Sequence, residues 1–148
     1  MPAKSIPVSD SVPRGENSSG EDILFVLYNI TKNNNSFDAK MNSAIIKPGK
    51  LKEDMRSTAS ANDDDIFIVE TLGPQKNIIK SFYLSNPLNE IVEYVADDNG
   101  TLASKLIQHE SKELVARMNV DDNTSSVKLY QRKTNKDKKS LLHTITID

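Results

Sequence analysis

Apolar and polar residues alternate one for one in several short stretches of this chain, and that rhythm limits the folds open to it more than any other feature. Leu141, His143, Ile145 and Ile147 alternate with Leu142, Thr144 and Thr146. Val127, Leu129 and Gln131 alternate with Lys128 and Tyr130, and Leu114, Ala116, Met118 and Val120 with Val115, Arg117 and Asn119. Phe37, Ala39 and Met41 do the same with Asp38, Lys40 and Asn42. Successive side chains of a strand point to opposite faces, so a period of two marks strands with one face buried.

Two further segments are apolar without clean alternation. Residues 23–30 read as a strand buried on both faces, and residues 66–72, rich in β-branched side chains, as another. Gly73-Pro74 punctuates the second, and residues 78–84 read as the returning arm of a hairpin, with Ile79, Ser81 and Tyr83 on one face and Ile78, Phe82 and Leu84 on the other. Turn clusters separate the stretches: Asn33 to Ser36, Lys47-Pro48-Gly49, Asp97-Asp98-Asn99-Gly100 and Asp121 to Thr124. Lys52 to Asp65 reads as a polar loop. Residues 127–147 read as a terminal hairpin around the polar loop from Lys133 to Lys139.

Residues 86–118 admit two readings. Asn86-Pro87 followed by Leu88, Ile91, Val92 and Val95 fits an amphipathic helix capped by Asn86. Helices near 86–98 and 101–118 would make the protein α+β. The strict alternation from Leu114 to Val120 favours strands instead. The expected fold is therefore all-β, an antiparallel sandwich of about seven to nine short strands.

The first 21 residues hold three prolines, two glycines and five serines with little apolar content. Such a segment cannot bury enough surface to offset its ordering entropy. The expected organisation is a disordered tail over 1–21 and a sandwich domain over 22–148. No apolar run approaches the about 20 residues needed to span a bilayer, and no signal-peptide pattern is visible. A cytosolic protein and a mature exported one both fit.

The absence of cysteine removes disulfides, thiolate chemistry and cysteine-based zinc sites. A formal charge of -2 gives no reason to expect a nucleic-acid partner. His109 and His143 are the only histidines and form no ligand-spaced pair. His143 falls in phase with Leu141 and Ile145, as a partly buried structural residue would. Asp63-Asp64-Asp65 and Asp97 to Gly100 read as solvated acidic turns, lacking the ligand spacing and closing Glu of a calcium loop. No nucleophile elbow and no glycine-rich phosphate loop appears, so neither a cofactor nor a metal is expected. Sequons at Asn17, Asn29, Asn34, Asn99 and Asn123 arise easily in so Asn- and Ser-rich a chain.

One charge asymmetry stands out. Lys128, Arg132, Lys133, Lys136, Lys138 and Lys139 gather on the terminal hairpin beside Tyr130. Such a loop suits an anionic partner surface, and lysines also guard an edge strand against aggregation. These seven residues are the candidate binding site.

The segments Asn86-Pro87-Leu88, Val92-Glu93-Tyr94-Val95, Asp97 to Gly100, Glu113-Leu114-Val115-Ala116-Arg117 and Val127-Lys128-Leu129-Tyr130 together resemble the immunoglobulin-like accessory domains of secreted bacterial proteins, those of bacterial metallopeptidases nearest among them. The resemblance covers residues 66–147. It implies an immunoglobulin-like sandwich in a secreted or periplasmic setting. Such domains share no active site, so no functional residue carries over. The expected function is a non-catalytic binding or accessory module that meets a protein, glycan or surface partner through loops or an edge strand. The alternatives are a structural or assembly subunit of a surface layer, fibre or particle, and an enzyme with a carboxylate-based site.

Overall fold

The computed structural model describes residues 8–14, 21–53 and 55–148. Its strands are β1 (Val8–Val12), β2 (Glu21–Asn33), β3 (Ser36–Pro48), β4 (Ile66–Leu72), β5 (Ile78–Ser85), β6 (Asn89–Val95), β7 (Leu102–Gln108), β8 (Ser111–Asp121), β9 (Ser126–Arg132) and β10 (Ser140–Ile147). The fold is all-β, with no helix among the described residues and hence none long and apolar enough to cross a membrane. Residues 86–118 form β6, β7 and β8, not helices.

Two sheets pack face to face. One runs β1-β10-β9-β4-β5 and the other β3-β2-β8. All pairs within them are antiparallel except β1 with β10, which is parallel. Between the sheets Leu24, Val26, Tyr28 and Ile30 of β2 and Ala116, Met118 and Val120 of β8 meet Phe67 and Val69 of β4, Val127 and Leu129 of β9, and Ile145 and Ile147 of β10. Phe37 and Phe67 join the layers edge to face, ring centroids 5.4 Å apart. The alternation along β8 and β9, and along β10 from His143 onward, is thus the inward face of each strand.

Four expectations need correction. The tail reading fails at Val8–Val12, which is strand β1. Val12 is buried, and Asp148 N–H donates to Val12 C=O at 3.1 Å while Arg14 N–H donates to Asp148 C=O at 3.2 Å. An unpaired edge of β10 offers that short segment backbone partners that its own composition does not reveal. Glu21, the last residue of the expected tail, opens β2, and residues 1–7 and 15–20 lie outside the described residues. β1 and the division of 86–118 into three strands bring the number to ten among the described residues.

Second, β2 is fully buried on one face only, with Ile23, Phe25 and Leu27 half-buried on the other. It is β4, the inner strand beside β9 and β5, that is buried on both faces. Third, a bulge between Leu141 and His143 turns both Leu142 and His143 inward and leaves Leu141 half-buried. The extra residue of a bulge breaks the two-residue count, so His143 is fully buried, not partly. Fourth, a register shift between Thr71 and Leu72 displaces the start of β5, and Ile78 and Ile79 are both exposed.

The long connection from Gly49 to Asp65 closes one side of the sandwich. Leu51 N–H donates to Asn119 Oδ1 at 2.8 Å, Met55 packs on the core, and Thr58 and Ala59 N–H both donate to Tyr83 C=O at the outer edge of β5. That arrangement satisfies edge groups that would otherwise invite another strand.

Candidate interaction surfaces

β6 and β7 pair only with each other and belong to neither sheet. Opposed side chains of an antiparallel pair share a face, so the register assigns Ile91 with Leu106, Glu93 with Ser104 and Val95 with Leu102 to one side of this ribbon. Ile91 is 74% exposed, Val95 64%, Leu102 65% and Leu106 55%. The opposite side carries Val92, Ala103 and Ile107, all half-buried. Four large apolar side chains thus stand in water in two rungs, with one carboxylate between them. Soluble proteins rarely leave contiguous apolar patches open unless they bind something.

An isolated two-stranded hairpin is marginal in water, so the ribbon needs anchoring. At its root Leu88 is buried in the core, and its N–H is capped by Asn86 Oδ1 at 2.9 Å. The Asp65 carboxylate accepts from Asn86 Nδ2 at 3.1 Å, Asn89 Nδ2 at 2.9 Å and Gln131 Nε2 at 3.3 Å. Asp65 reaches them from a left-handed backbone, φ 54°, which Asp tolerates better than most residues. His109 N–H donates to Leu88 C=O, and Glu90 lies 2.7 Å from His109 Nε2 and 3.4 Å from Lys112 Nζ. The hydrogen bond with His109, followed by that with Lys112, holds the Glu90 carboxyl below its usual value.

At the tip, Gly100 supplies the positive φ of the turn, 77°, and Asp97 Oδ1 accepts from Asn99 N–H and Thr101 N–H. Those bonds, Thr101's first, lower the Asp97 carboxyl as well. Beside the root, Lys32, Asn34, Asp65, Asn89, His109 and Glu110 line part of a polar cleft of about 280 Å³.

The candidate basic site divides. Lys133, Lys136 and Lys138 are exposed in the β9–β10 loop, whereas the other four are engaged by their neighbours or lie on the sheet. Arg132 donates to the carbonyls of Ala61 and Asp63, the second at 2.9 Å. Lys139 folds back onto the buried Glu70 carboxylate and lies 4.5 Å from the Tyr130 ring centroid. Lys128 sits opposite Glu70 on the same outward face. Burial, then the Glu70 charge, raises the Tyr130 phenol above its usual value.

The acidic run that read as a solvated turn is part of this arrangement. Asp64 Oδ1 accepts from Asn135 N–H at 2.7 Å, and Asp65 N–H donates to Lys133 C=O at 2.7 Å. Asp64 and Asn135 stand 71 residues apart in the chain. Two distant segments are therefore tied together through backbone groups, which a reading along the chain does not disclose.

His143 bridges β1 to β2. Its Nε2 lies 2.7 Å from Asp10 Oδ2, its Nδ1 3.4 Å from the Tyr28 hydroxyl, and the two rings meet edge on at 5.2 Å. Burial, with the Asp10 charge second, pushes the Tyr28 phenol far above its usual value. An Asp–His–hydroxyl line invites a catalytic comparison, but Tyr28 and His143 are both shut inside the core, out of reach of a substrate. Among the described residues no three His, Asp or Glu side chains converge as metal ligands.

The ribbon's open face did not enter the sequence reading as a site. Its signal was present, since Ile91-x-Glu93-x-Val95 and Leu102-x-Ser104-x-Leu106 flank the turn from Asp97 to Gly100. Alternation identifies a face without saying whether anything covers it. Compared with protein-family models, curated proteins and solved structures, the chain gives no match.

Proposed function

We propose that this chain is a non-catalytic binding module of the immunoglobulin-like accessory kind, and that it meets a protein partner through the β6–β7 ribbon. The observation that carries the reading is the ribbon's open face, with Ile91, Val95, Leu102 and Leu106 all more than half exposed on an element outside both sheets. Fully burying a side chain of this size is worth about 1.5–3 kcal/mol, so four of them supply a contact with an apolar centre.

The strand order supports the immunoglobulin-like part. On this reading β2 and β8 take the places of strands B and E, β4, β9 and β10 those of C, F and G, and β5 extends the second sheet as in variable-type domains. β3, which pairs with β2 directly after it, departs from that pattern, and the chain has neither Trp nor Cys. The exported bacterial setting follows from the resemblance alone.

The test compares the ribbon with the basic loop. A photo-crosslinking side chain is placed at Leu102 or at Lys136, and adducts are collected from cells that make the protein. The expected result is a discrete adduct from Leu102 that Ile91→Ser and Leu106→Ser together abolish, and that charge reversal at Lys133 and Lys136 leaves intact. Adducts from Lys136 alone would move the contact to the basic loop, and adducts from neither would end the binding-module reading.

A further inference from the structure

A second apolar surface lies on the same molecule. The outer face of the three-stranded sheet carries Phe25 and Leu27 of β2 flanked by Ile45 of β3, 50% exposed, and Val115 of β8, 65% exposed. Arg117 lies opposite Phe25 and Lys47 opposite Ile23 on this face, and Arg117 is exposed. Glu113, one rung beyond Val115, and the Glu21/Asp121 rung make this face mixed in charge, and of the three rungs on the ribbon's open face only Glu93 is charged, opposite in sign to Arg117.

The two faces also agree in spacing. Along any strand, side chains on one face recur about every 6.6–6.8 Å, two residues apart. The ribbon's open face reads Ile91/Leu106, then Glu93/Ser104, then Val95/Leu102. The β2–β8 face reads Leu27/Val115, then Phe25/Arg117, then Ile23/Asn119. Two rungs thus match at the same interval, apolar beside acidic on the ribbon and apolar beside basic on the sheet, while the third sheet rung carries Asn119, whose Oδ1 accepts from Leu51 N–H. Laid along each other, the strands set Glu93 over Arg117 and an apolar rung over Leu27 and Val115. Aligned packing of two β-layers is an ordinary arrangement, with about 10 Å between them.

We infer that the ribbon of one copy docks on the outer face of the β3-β2-β8 sheet of a second copy, so that the chain associates with itself head to tail. One contact of this kind covers an open apolar face on each of two copies and pairs Glu93 with Arg117. Because it joins two different surfaces, the pair keeps one ribbon and one sheet face free, and growth continues into a ring or an open chain. The inference rests on the reading of the ribbon as a contact surface and names its partner as this same chain.

Sedimentation of the full chain across a concentration series tests it. Wild type is expected to pass from a 16.5 kDa species to multiples of that mass. Glu93→Arg or Arg117→Glu alone should move the transition to at least about tenfold higher concentration, because like charges then face each other. Mixing the two single variants should restore growth, with the two kinds of chain alternating, because the ribbon of each then meets an opposite charge only on the sheet of the other. Carrying both changes on one chain should also restore growth. Both positions are exposed, and circular dichroism confirms that each variant is folded.

A wild type that stays monomeric up to roughly millimolar concentration overturns the inference, as does association indifferent to both charge reversals. The crosslinking experiment separates the two ideas. A Leu102 adduct with a different protein, from a monomeric wild type, leaves the binding-module reading standing and removes self-association. An adduct of twice the chain mass supports both.

Discussion

Along β8, Leu114, Ala116, Met118 and Val120 alternate with Val115, Arg117 and Asn119, and along β6 and β7 Ile91, Val95, Leu102 and Leu106 recur on one face with Glu93 and Ser104 between them. In β8 the apolar set packs against the five-stranded sheet, while in the ribbon it faces water. The same local pattern therefore does two different jobs. A period of two makes a strand with an apolar face, and the neighbours the chain folds around it decide whether that face becomes core or contact surface. The difference also separates two sources of stability. The sandwich is held by apolar burial between layers, and the ribbon by polar ties at its root and tip.

Truncation should separate the two regions most strongly. Leu24→Ala or Met118→Ala removes a fully buried side chain and should cost about 2–5 kcal/mol in urea unfolding. Ile91→Ala or Leu102→Ala, made in the monomer, should change stability by no more than about 0.5 kcal/mol. A ribbon truncation as costly as a core one would mean that the open face is covered within the single chain, and the contrast would disappear.

A smaller and more local effect is expected at the ribbon's root. Asp65→Asn keeps the side-chain shape and the tolerance for a left-handed backbone, but sets an amide donor among Asn86, Asn89 and Gln131, which already donate to Asp65. The loss should be about 1–3 kcal/mol, felt first in the ribbon. Hydrogen exchange should quicken across residues 89–108 while β9 and β10 stay protected. Uniform loss of protection would show instead that ribbon and sandwich open as one unit.

Much of this contrast was legible in the residues and part of it was not. The strands and hairpins followed from alternation and turn chemistry, because both are local properties. Burial of β4 on both faces and of β2 on only one did not follow, since the two runs are equally apolar and their positions within the sheets decide the matter. β1 was missed because its partner, the edge of β10, lies more than 130 residues away. The basic hairpin was visible as a cluster of charge, but the Arg132 contacts to the 61–63 carbonyls and the Lys139–Glu70 pair are tertiary. Exposure of the ribbon is tertiary in the same sense.

The smallest expected effect divides the ribbon itself. Glu90 at the root and Asp97 at the tip are both held below their usual values of 4.5 and 3.8. A carboxyl depressed in the folded state stabilises the fold above its unfolded value, and that contribution is lost as pH falls through the folded value. Ribbon protection should therefore be complete at neutral pH and weaken only in acid, once exchange is corrected for its intrinsic pH dependence. Glu90→Gln should remove the response near the root, and Asp97→Asn that near the tip. Salt then tells the two ends apart. The root relies partly on the charges of Lys112 and Glu90, both partly exposed, and added salt screens such a pair. The tip relies on backbone N–H groups donating to one carboxylate at 2.9 and 3.2 Å, an arrangement ionic strength barely touches. Exchange that quickens with salt at residues 89–91 and 106–108 but not at 96–101 would establish that the ribbon is pinned by charge where it leaves the sandwich and by turn geometry where it ends.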